Sequence, residues 1–437
     1  MKATVIGAGL AGCEAAWQLA RAEVEVRLVE MKPDVRSAAH CSDGMAELVC
    51  SNSLRGAGLS GAVGLLKEEL RRAGSLLLAC ADATSVPAGR ALAVDRDRFS
   101  SVVEAKIRGN PRIEVIRKVV ADLDFDGPVV VATGPLTEGA LLQALVQSGA
   151  ALSYHDAIAP LVDASSVDMG RAFRADRYEG VGEEAAYLNC PFDEAEYLAF
   201  VRALVEAEKT PMKDFESAPF FEGCLPVEVM ASRGEMTLAH GPMKPVGIVD
   251  PSTGRRPFAV VQLRPENLAR TAYNLVGFQT RLTRGEQRRV FRMIPGLEGA
   301  SFERYGQVHR NTFVDAPVVL DERLALRSRP GVTLAGQITG VEGYVESIAS
   351  GFLAGLYVSW ALSGVQGSLP PETTALGGIA RHTSRSPGGY QPSNVVWSMI
   401  ETPPRQRREK KHVHRARSAD GALADLEAWL ERCRRER

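Results

Sequence analysis

Ala3-Thr4-Val5-Ile6-Gly7-Ala8-Gly9-Leu10-Ala11-Gly12 stands at the head of the chain and decides its fold. Residues 2–7 read as a short apolar strand, and residues 10–21 as a helix burying Leu10, Ala11, Ala15, Ala16 and Leu19. Val24-Glu25-Val26-Arg27-Leu28-Val29 reads as a second strand, ending at Glu30. Parallel strands need a crossover, and the helix supplies it. The glycines have G-x-G-x-x-G spacing: Gly7 permits the tight turn, Gly9 lets the backbone approach a pyrophosphate, and Gly12 lets helix and strand pack closely. The helix start offers free N–H groups and a positive dipole end to phosphate oxygens. Glu30, eighteen residues after Gly12, is placed to accept hydrogen bonds from ribose hydroxyls. With Lys32 two residues on, Gly7, Ala8, Gly9, Leu10, Ala11, Gly12 and Glu30 form the expected cofactor-binding set for an adenine dinucleotide.

Two later stretches point to FAD as that dinucleotide. Val129-Val130-Val131-Ala132-Thr133-Gly134-Pro135 is an apolar strand broken by glycine and proline, the form of a central parallel strand; an end such as Ala132-Thr133-Gly134 is typical of two-lobed flavoproteins. Val332-Thr333-Leu334-Ala335-Gly336 reads as another core strand, and Val341-Glu342-Gly343-Tyr344 follows it toward a flavin ring. A helix expected over 346–362 aims its N-terminus at the negative charge of a reduced flavin. No second G-x-G-x-x-G is present, so a nicotinamide coenzyme must dock without a Rossmann domain of its own.

The fold expected is therefore α/β: a Rossmann-like FAD-binding domain of the glutathione-reductase type with an inserted mixed α/β domain. Residues 1–153 form the first part of the FAD-binding domain, and residues 154–304 the insertion, where prolines, aromatics and the alternating run Phe258–Leu263 appear. Residues 305–370 return to the FAD-binding domain, and 371–437 form a C-terminal segment with a basic tail. Amphipathic helices are expected over 64–74 and 95–106, and a last helix over 423–433.

At 437 residues, 45% hydrophobic and 24% charged, the chain has enough apolar material for two or three lobes. No apolar run reaches the roughly 18 to 20 residues of a membrane helix, and the N-terminus lacks a signal-peptide pattern, so a cytoplasmic protein with no membrane contact is expected. Seven cysteines without a C-x-x-C pair suggest neither a disulfide framework nor a metal site. The net charge of −1 conceals an asymmetry. Arg405, Arg407, Arg408, Lys410, Lys411, Arg415 and Arg417 stand close together against Glu409 alone, a pointer either to a polyanionic partner or to a solvated, poorly ordered tail.

Two cysteines stand out by context. Cys50 lies in the donor-rich turn Cys50-Ser51-Asn52-Ser53-Leu54-Arg55-Gly56, and Cys224 lies between Gly223 and Leu225-Pro226-Val227-Glu228. A reactive thiol must be partly exposed in an electropositive setting, and on sequence alone a buried, inert side chain is the plainer reading of each. Val308-His309-Arg310-Asn311-Thr312 is a further polar cluster, whose histidine and arginine suit a planar ligand or a carboxylate.

Taken in order, Gly7–Gly12, Leu48–Leu54, Val86–Gly89, Leu92–Arg96, Ala132–Thr137, Tyr187–Pro191, Cys224–Glu228, Gly241–Gly247 and Gly340–Tyr344 resemble the folate- and FAD-dependent tRNA (uracil-5-)-methyltransferases, the TrmFO family of GidA-related flavoproteins. The resemblance runs to about Gln391 and is loose beyond Arg405. It implies formation of 5-methyluridine at uracil-54 in the T-loop of tRNA. The carbon comes from 5,10-methylenetetrahydrofolate, and the electrons from NADH or NADPH through FAD. It also implies roles for two cysteines, which fall on Cys50 and Cys224. In one arrangement Cys224 attacks uracil C6 while Cys50 stands beside the flavin; the reverse is the other. His309, Arg310 and Asn311 are assigned to the folate. Arg281, Arg284, Arg405, Arg407, Arg408, Lys410 and Lys411 are assigned to tRNA phosphates. Three other readings compete: the same chemistry on ribosomal RNA, a small-molecule flavin hydroxylase or oxidase, and a redox-sensing RNA-binding flavoprotein without catalysis. The sequence leaves the oligomeric state open.

Overall fold

The computed structural model describes residues 1–437 except Ala38, 147–150, Glu179, Glu183, 211–224, 386–389 and Arg437; at 146, 151–158, 180 and 308–310 the description is of the backbone. β1 (Lys2–Ile6) and β2 (Glu25–Glu30) run parallel, Val5 opposite Leu28, with α1 (Leu10–Arg21) as their crossover. Val129–Val131 pairs with the other side of β1, Arg329–Leu334 pairs with it in turn, and Ile113–Arg117 pairs with β2, all in parallel. The short antiparallel strand Ala325–Leu326 completes a six-stranded sheet. Val5, Val26, Leu28 and Val129–Val131 are buried, as strands covered on both faces require.

The helix Tyr344–Ser363 lies on α1 at close range, and glycine allows it. A Cβ built on Gly351 would stand 2.2 Å from the Ala11 carbonyl oxygen, and one on Gly355 2.7 Å from that of Ala15. Contrary to the sequence expectation, this 20-residue helix is apolar and long enough to cross a bilayer by length and composition. Its most apolar stretch is 89% buried inside the molecule, so here it is the core helix of the parallel-sheet lobe.

A second sheet of seven strands, antiparallel throughout, occupies residues 161–304 in the order Gly180–Val181, Phe173–Asp176, Leu188–Phe192, Ala259–Pro265, Ala272–Leu275, Leu161–Asp163, Phe302–Arg304. It packs its own core, in which Phe192, Phe200, Phe278 and Phe291 follow one another at centroid separations of 5.4, 6.2 and 5.8 Å. The run read as alternating is buried along the whole of Ala259–Pro265. Both faces are covered, because Val260 packs with Phe173, Ala175 and Ile248 on the side away from the aromatic core, and its N–H donates to the Met243 carbonyl.

A two-stranded ribbon, Ala151–Ile158 against Gln307–Val314, joins the two sheets. Side chains tie them further. Asn52, fully buried, donates to the carbonyls of Val94, Pro265 and Glu266 and accepts from Arg264 Nε at 2.9 Å. Tyr187 Oη donates to the Ala88 carbonyl, so the stretches Val86–Gly89 and Tyr187–Pro191 meet between the sheets.

The C-terminal segment departs most from expectation. Residues 375–385, not anticipated as regular structure, form the helix Ala375–Arg385, whose first N–H groups at Ala375 and Leu376 donate to the buried Glu69 carboxylate. The last helix is Lys411–Arg435, more than twice the length expected. Its buried Leu426, Trp429 and Cys433 join the main core, and Trp429 Nε1 donates to the Ser368 carbonyl. The basic run thus leads into a docked helix: Arg405–Lys410 precede it, and Lys411, Arg415 and Arg417 lie on its first turns. The basic side chains at 405–411 stay exposed, while burial of Ala419, Ala422, Leu423, Leu426 and Trp429 docks the helix that follows.

Candidate functional site

The glycine turn has the form of a phosphate cradle. Gly7 sits at φ +98°, where a side chain is strained, and its N–H donates to the Val29 carbonyl at 2.7 Å. A Cβ on Gly12 would lie 1.8 Å from the Gly7 carbonyl oxygen, whereas one on Gly9 would meet nothing within 4 Å. The turn is closed where helix meets strand and open where a ligand approaches. Gly9 caps α1 with no side-chain hydrogen bond, leaving the first-turn N–H groups to an anion. The buried Glu30 carboxylate accepts from Ala8 N–H at 2.7 Å and Lys32 N–H at 3.0 Å, which fixes it at the end of β2. Lys32 itself is buried with its ammonium on the Gly44 carbonyl and near Glu47 at 3.4 Å, so its side chain braces the following loop.

Gly134, at φ +74°, likewise has open space beyond it. Gly336, Gly340 and Gly343 all have positive φ, and Gly343 starts the helix Tyr344–Ser363 with no side-chain cap. The residues expected to hold FAD therefore fit it on observable grounds: two uncapped helix starts, open glycine surfaces and a fixed carboxylate.

Between this cradle and the second sheet lies a cavity of about 290 Å³. Cys50, Ser51, Ser53 and Arg55 line it from a turn and the short strand after it, Gln337, Glu342, Gly343, Tyr344 and Asn394 from the cradle side, and Arg264, Asn274, Val276, Gly277 and Gln279 from the second sheet and the segment after its strand Ala272–Leu275. The Cys50 turn is held there by backbone. Tyr344 Oη accepts from the N–H groups of Cys50 at 2.7 Å and Ser51 at 3.1 Å, and Arg304 donates to the carbonyls of Val49 and Cys50, each at 3.3 Å. Burial, with charge on Cys50 second, pushes the Tyr344 phenol above its usual range, so it stays a neutral hydroxyl. Burial also pushes the Cys80 thiol up to about 11 and those of Cys13 and Cys190 higher still, which marks all three as inert packing. Cys50 is half-buried on the cavity wall.

Cys224 lies outside the described residues. The residues after it are anchored beside the cavity: Val227 N–H donates to the carbonyl of Gln279 at 2.7 Å, and Glu228 accepts from Thr280 Oγ1 at 2.8 Å and Arg281 N–H at 2.9 Å. His309 and Arg310 are in the strand Gln307–Val314, opposite Asp156 and His155, with their side chains outside the description; Asn311, buried, lines the cavity. The neighbouring Thr312 N–H donates to the Pro135 carbonyl at 2.7 Å, so this strand runs past the Ala132–Gly134 cradle.

Arg281 sits two residues from cavity-lining Gln279, and Arg284 opens the helix Arg284–Phe291, exposed, with its guanidinium carbon 5.9 Å from the centre of the Tyr305 ring. In the C-terminal segment, Arg405, Arg407, Arg408, Lys410 and Lys411 are exposed. Arg417 turns back onto Glu409, and its guanidinium holds that carboxyl down at about 2. The patch adjoins the cavity through residues 394–397, since Asn394 lines it while Trp397 Nε1 donates to the Ser60 carbonyl and stacks under Arg415.

Sequence reasoning passed over Arg55, Arg264, Asn274 and Asn394. Arg264 carried a usable signal, an arginine near the end of a mostly apolar strand; Asn394, distant in sequence and without a motif, carried none.

The chain matches the profile described as "Glucose inhibited division protein A" over residues 2–366. It is 56% identical over 429 residues to the "Methylenetetrahydrofolate--tRNA-(uracil-5-)-methyltransferase TrmFO" of Geobacter sulfurreducens, covering 98% of each chain. It is 54% identical to the protein of the same name from Syntrophotalea carbinolica, covering 98% of this chain and 94% of that one. Among solved structures, Aquifex aeolicus GidA superposes with a TM-score of 0.71 at 16% identity, over 99% of this chain and 76% of that one, a likeness of fold.

Proposed function

Because this chain belongs to the glucose-inhibited-division-protein-A family and, within it, to the TrmFO group, we propose that it transfers a one-carbon unit from 5,10-methylenetetrahydrofolate to uracil C5 in tRNA. The observation that carries the reading is the cavity in which Cys50 stands beside the glycine cradle of Gly343 and Tyr344.

Leu10, Ala11 and Gly12 N–H groups at the start of α1 would hold the FAD pyrophosphate and Glu30 the ribose, with Ala132–Gly134 and Gly336–Tyr344 around the ring. FAD, when bound, supplies the electron pair that completes the methyl group, drawn in turn from NADH or NADPH. The chain's own residues do the rest. A thiolate, assigned to Cys224, adds to uracil C6 and makes C5 nucleophilic; C5 takes the one-carbon unit, loses its proton, and the thiol leaves. Cys50, held by Tyr344, assists that proton transfer at the ring side. Asn311, with His309 and Arg310 on the same strand, is assigned to the folate.

The tRNA would lie across both basic surfaces, Arg281 and Arg284 on one lobe and Arg405–Lys411 on the other, with the T-loop uracil-54 turned out into the cavity. Because the C-terminal helix is part of the core, truncation is the wrong probe. Replacing Arg405, Arg407, Arg408, Lys410 and Lys411 by alanine should flatten the salt dependence of tRNA binding by up to about 0.9 per lost phosphate contact.

The decisive assay is the FAD-loaded protein with labelled methylenetetrahydrofolate, reduced nicotinamide and tRNA lacking the T-loop methyl, with unmodified ribosomal RNA alongside. Labelled 5-methyluridine in tRNA is expected; none in either RNA rejects the reading. A Cys224→Ala protein that still traps 5-fluorouridine tRNA covalently at the normal rate removes the assignment of the attacking thiol.

A further inference from the structure

The strand Ser53–Gly56 carries a bulge. Ser53 pairs with Ala93 and Gly56 with Ala91, so three steps on one strand oppose two on the other, and Arg55 adopts φ +64°. Backbone carbonyls displaced from a ladder need other partners, and one side chain provides them. Lys67, in the helix Ala62–Ala73, is fully buried and donates to the carbonyls of Leu54 at 2.7 Å, Arg55 at 3.3 Å and Gly56 at 2.7 Å. An ammonium has three donors, and three successive carbonyls meet them. Burying such a group is costly, and an apolar residue in its place would leave these carbonyls unpaired, so Lys67 is tied to the shape of the bulge.

The consequence of the bulge is the placement of Arg55. Its guanidinium lines the cavity, pairs with the fully buried Glu346 carboxylate, and would stand 3.2 Å from a Cβ built on Gly343. Glu346 also accepts from Val395 N–H at 2.8 Å, so the pair links three chain segments at the start of the helix Tyr344–Ser363. We propose that Lys67 is a positioning residue for the cavity: by holding the bulge it keeps the Arg55 guanidinium on Glu346 beside Gly343, where that cation raises the electron affinity of the flavin. This rests on the reading that the ring of FAD occupies this end of the cavity. A cation there favours the reduced, more negative ring. Without it, the buried Glu346 carboxylate remains in the same place and opposes reduction.

The test is the midpoint potential of the FAD-loaded full chain. Arg55→Met should shift it negative by at least about 30 mV, the equivalent of a tenfold change for a two-electron couple. Lys67→Met should shift it in the same direction, the milder Lys67→Gln by less, and Lys67→Met should add nothing once Arg55→Met is present. An unchanged potential in Arg55→Met, or shifts that add in the double variant, overturns the proposal. So does loss of folding in both Lys67 variants, which would make Lys67 a determinant of the whole core. If the native chain binds no FAD, the proposed function falls as well; if it binds FAD and methylates tRNA while Arg55→Met is silent, only the roles of Arg55 and Lys67 fall.

Discussion

The dinucleotide cradle is made of backbone and the cavity wall opposite it of side chains, and they tolerate change differently. The cradle (Gly7–Gly12, Ala132–Gly134, Gly336–Gly343) presents N–H groups and bare glycine surfaces; its requirement is for atoms to be missing. The opposite wall (Cys50, Ser51, Arg55, Arg264, Asn274) presents functional groups, and the ties are remote in sequence: Tyr344 holds the Cys50 and Ser51 N–H groups, Glu346 holds Arg55, and Asn52 holds Arg264. A single added methyl can destroy the cradle, while the wall fails only when a tie is cut.

The largest effect is expected from Gly12→Ala. The new methyl would lie 1.8 Å from the Gly7 carbonyl oxygen, with backbone on both sides of the clash. FAD titration of the apoprotein should show binding at least about a hundredfold weaker, roughly 2.7 kcal/mol; near-native affinity would mean that this turn does not carry the cofactor.

On the side-chain wall, Asn52→Ala removes three donated bonds and the acceptor of Arg264 Nε in one step. Urea unfolding should register a loss of roughly 2–4 kcal/mol, because buried groups are left unpaired. A loss under about 0.5 kcal/mol, the range of ordinary surface changes, would show that the lobes are held elsewhere.

Tyr344→Phe is subtler. It takes away the acceptor shared by the Cys50 and Ser51 N–H groups without opening space. Turnover should fall roughly tenfold, about 1.4 kcal/mol, with the melting temperature nearly unchanged. Unaltered turnover would free Cys50 from any dependence on this hydroxyl.

The smallest effect concerns the strut behind cradle and wall, the helix Ala62–Ala73. Burial pushes the Glu69 carboxyl up from its ordinary 4.5 to about 8, against the two backbone N–H groups that favour its anion. The folded protein keeps this proton where the unfolded chain releases it. That contribution to stability is therefore complete below pH 4.5 and is lost as pH rises through 8. Glu69→Gln should flatten the fall of melting temperature across that window; an unchanged slope would place the proton elsewhere.

The backbone cradle was largely legible in advance. Gly7, Gly12, Glu30, Gly134 and Gly343 act through local conformation, and a glycine at a given spacing carries its meaning with it. The side-chain wall was legible only in part. Cys50 announced itself by its polar surroundings, yet Arg55, Lys67 and Asn394 gave no sign, because an arginine or lysine in a helix or turn is usually solvated. The basic run was read for its charge, while the docked helix that starts within it at Lys411 was not.

From the sequence alone came the dinucleotide turn, the parallel strands on either side of it and the separate character of residues 154–304, because each depends on residues near one another and on their periodicity. Only the tertiary structure decided that the apolar helix Tyr344–Ser363 is a core element, that Lys411–Arg435 is folded onto the molecule, and that Lys67 reaches three carbonyls of the strand carrying Arg55. Burial and partner choice are properties of the packed interior, where desolvation sets what a charge or a methyl group costs, and no local pattern of residues records them.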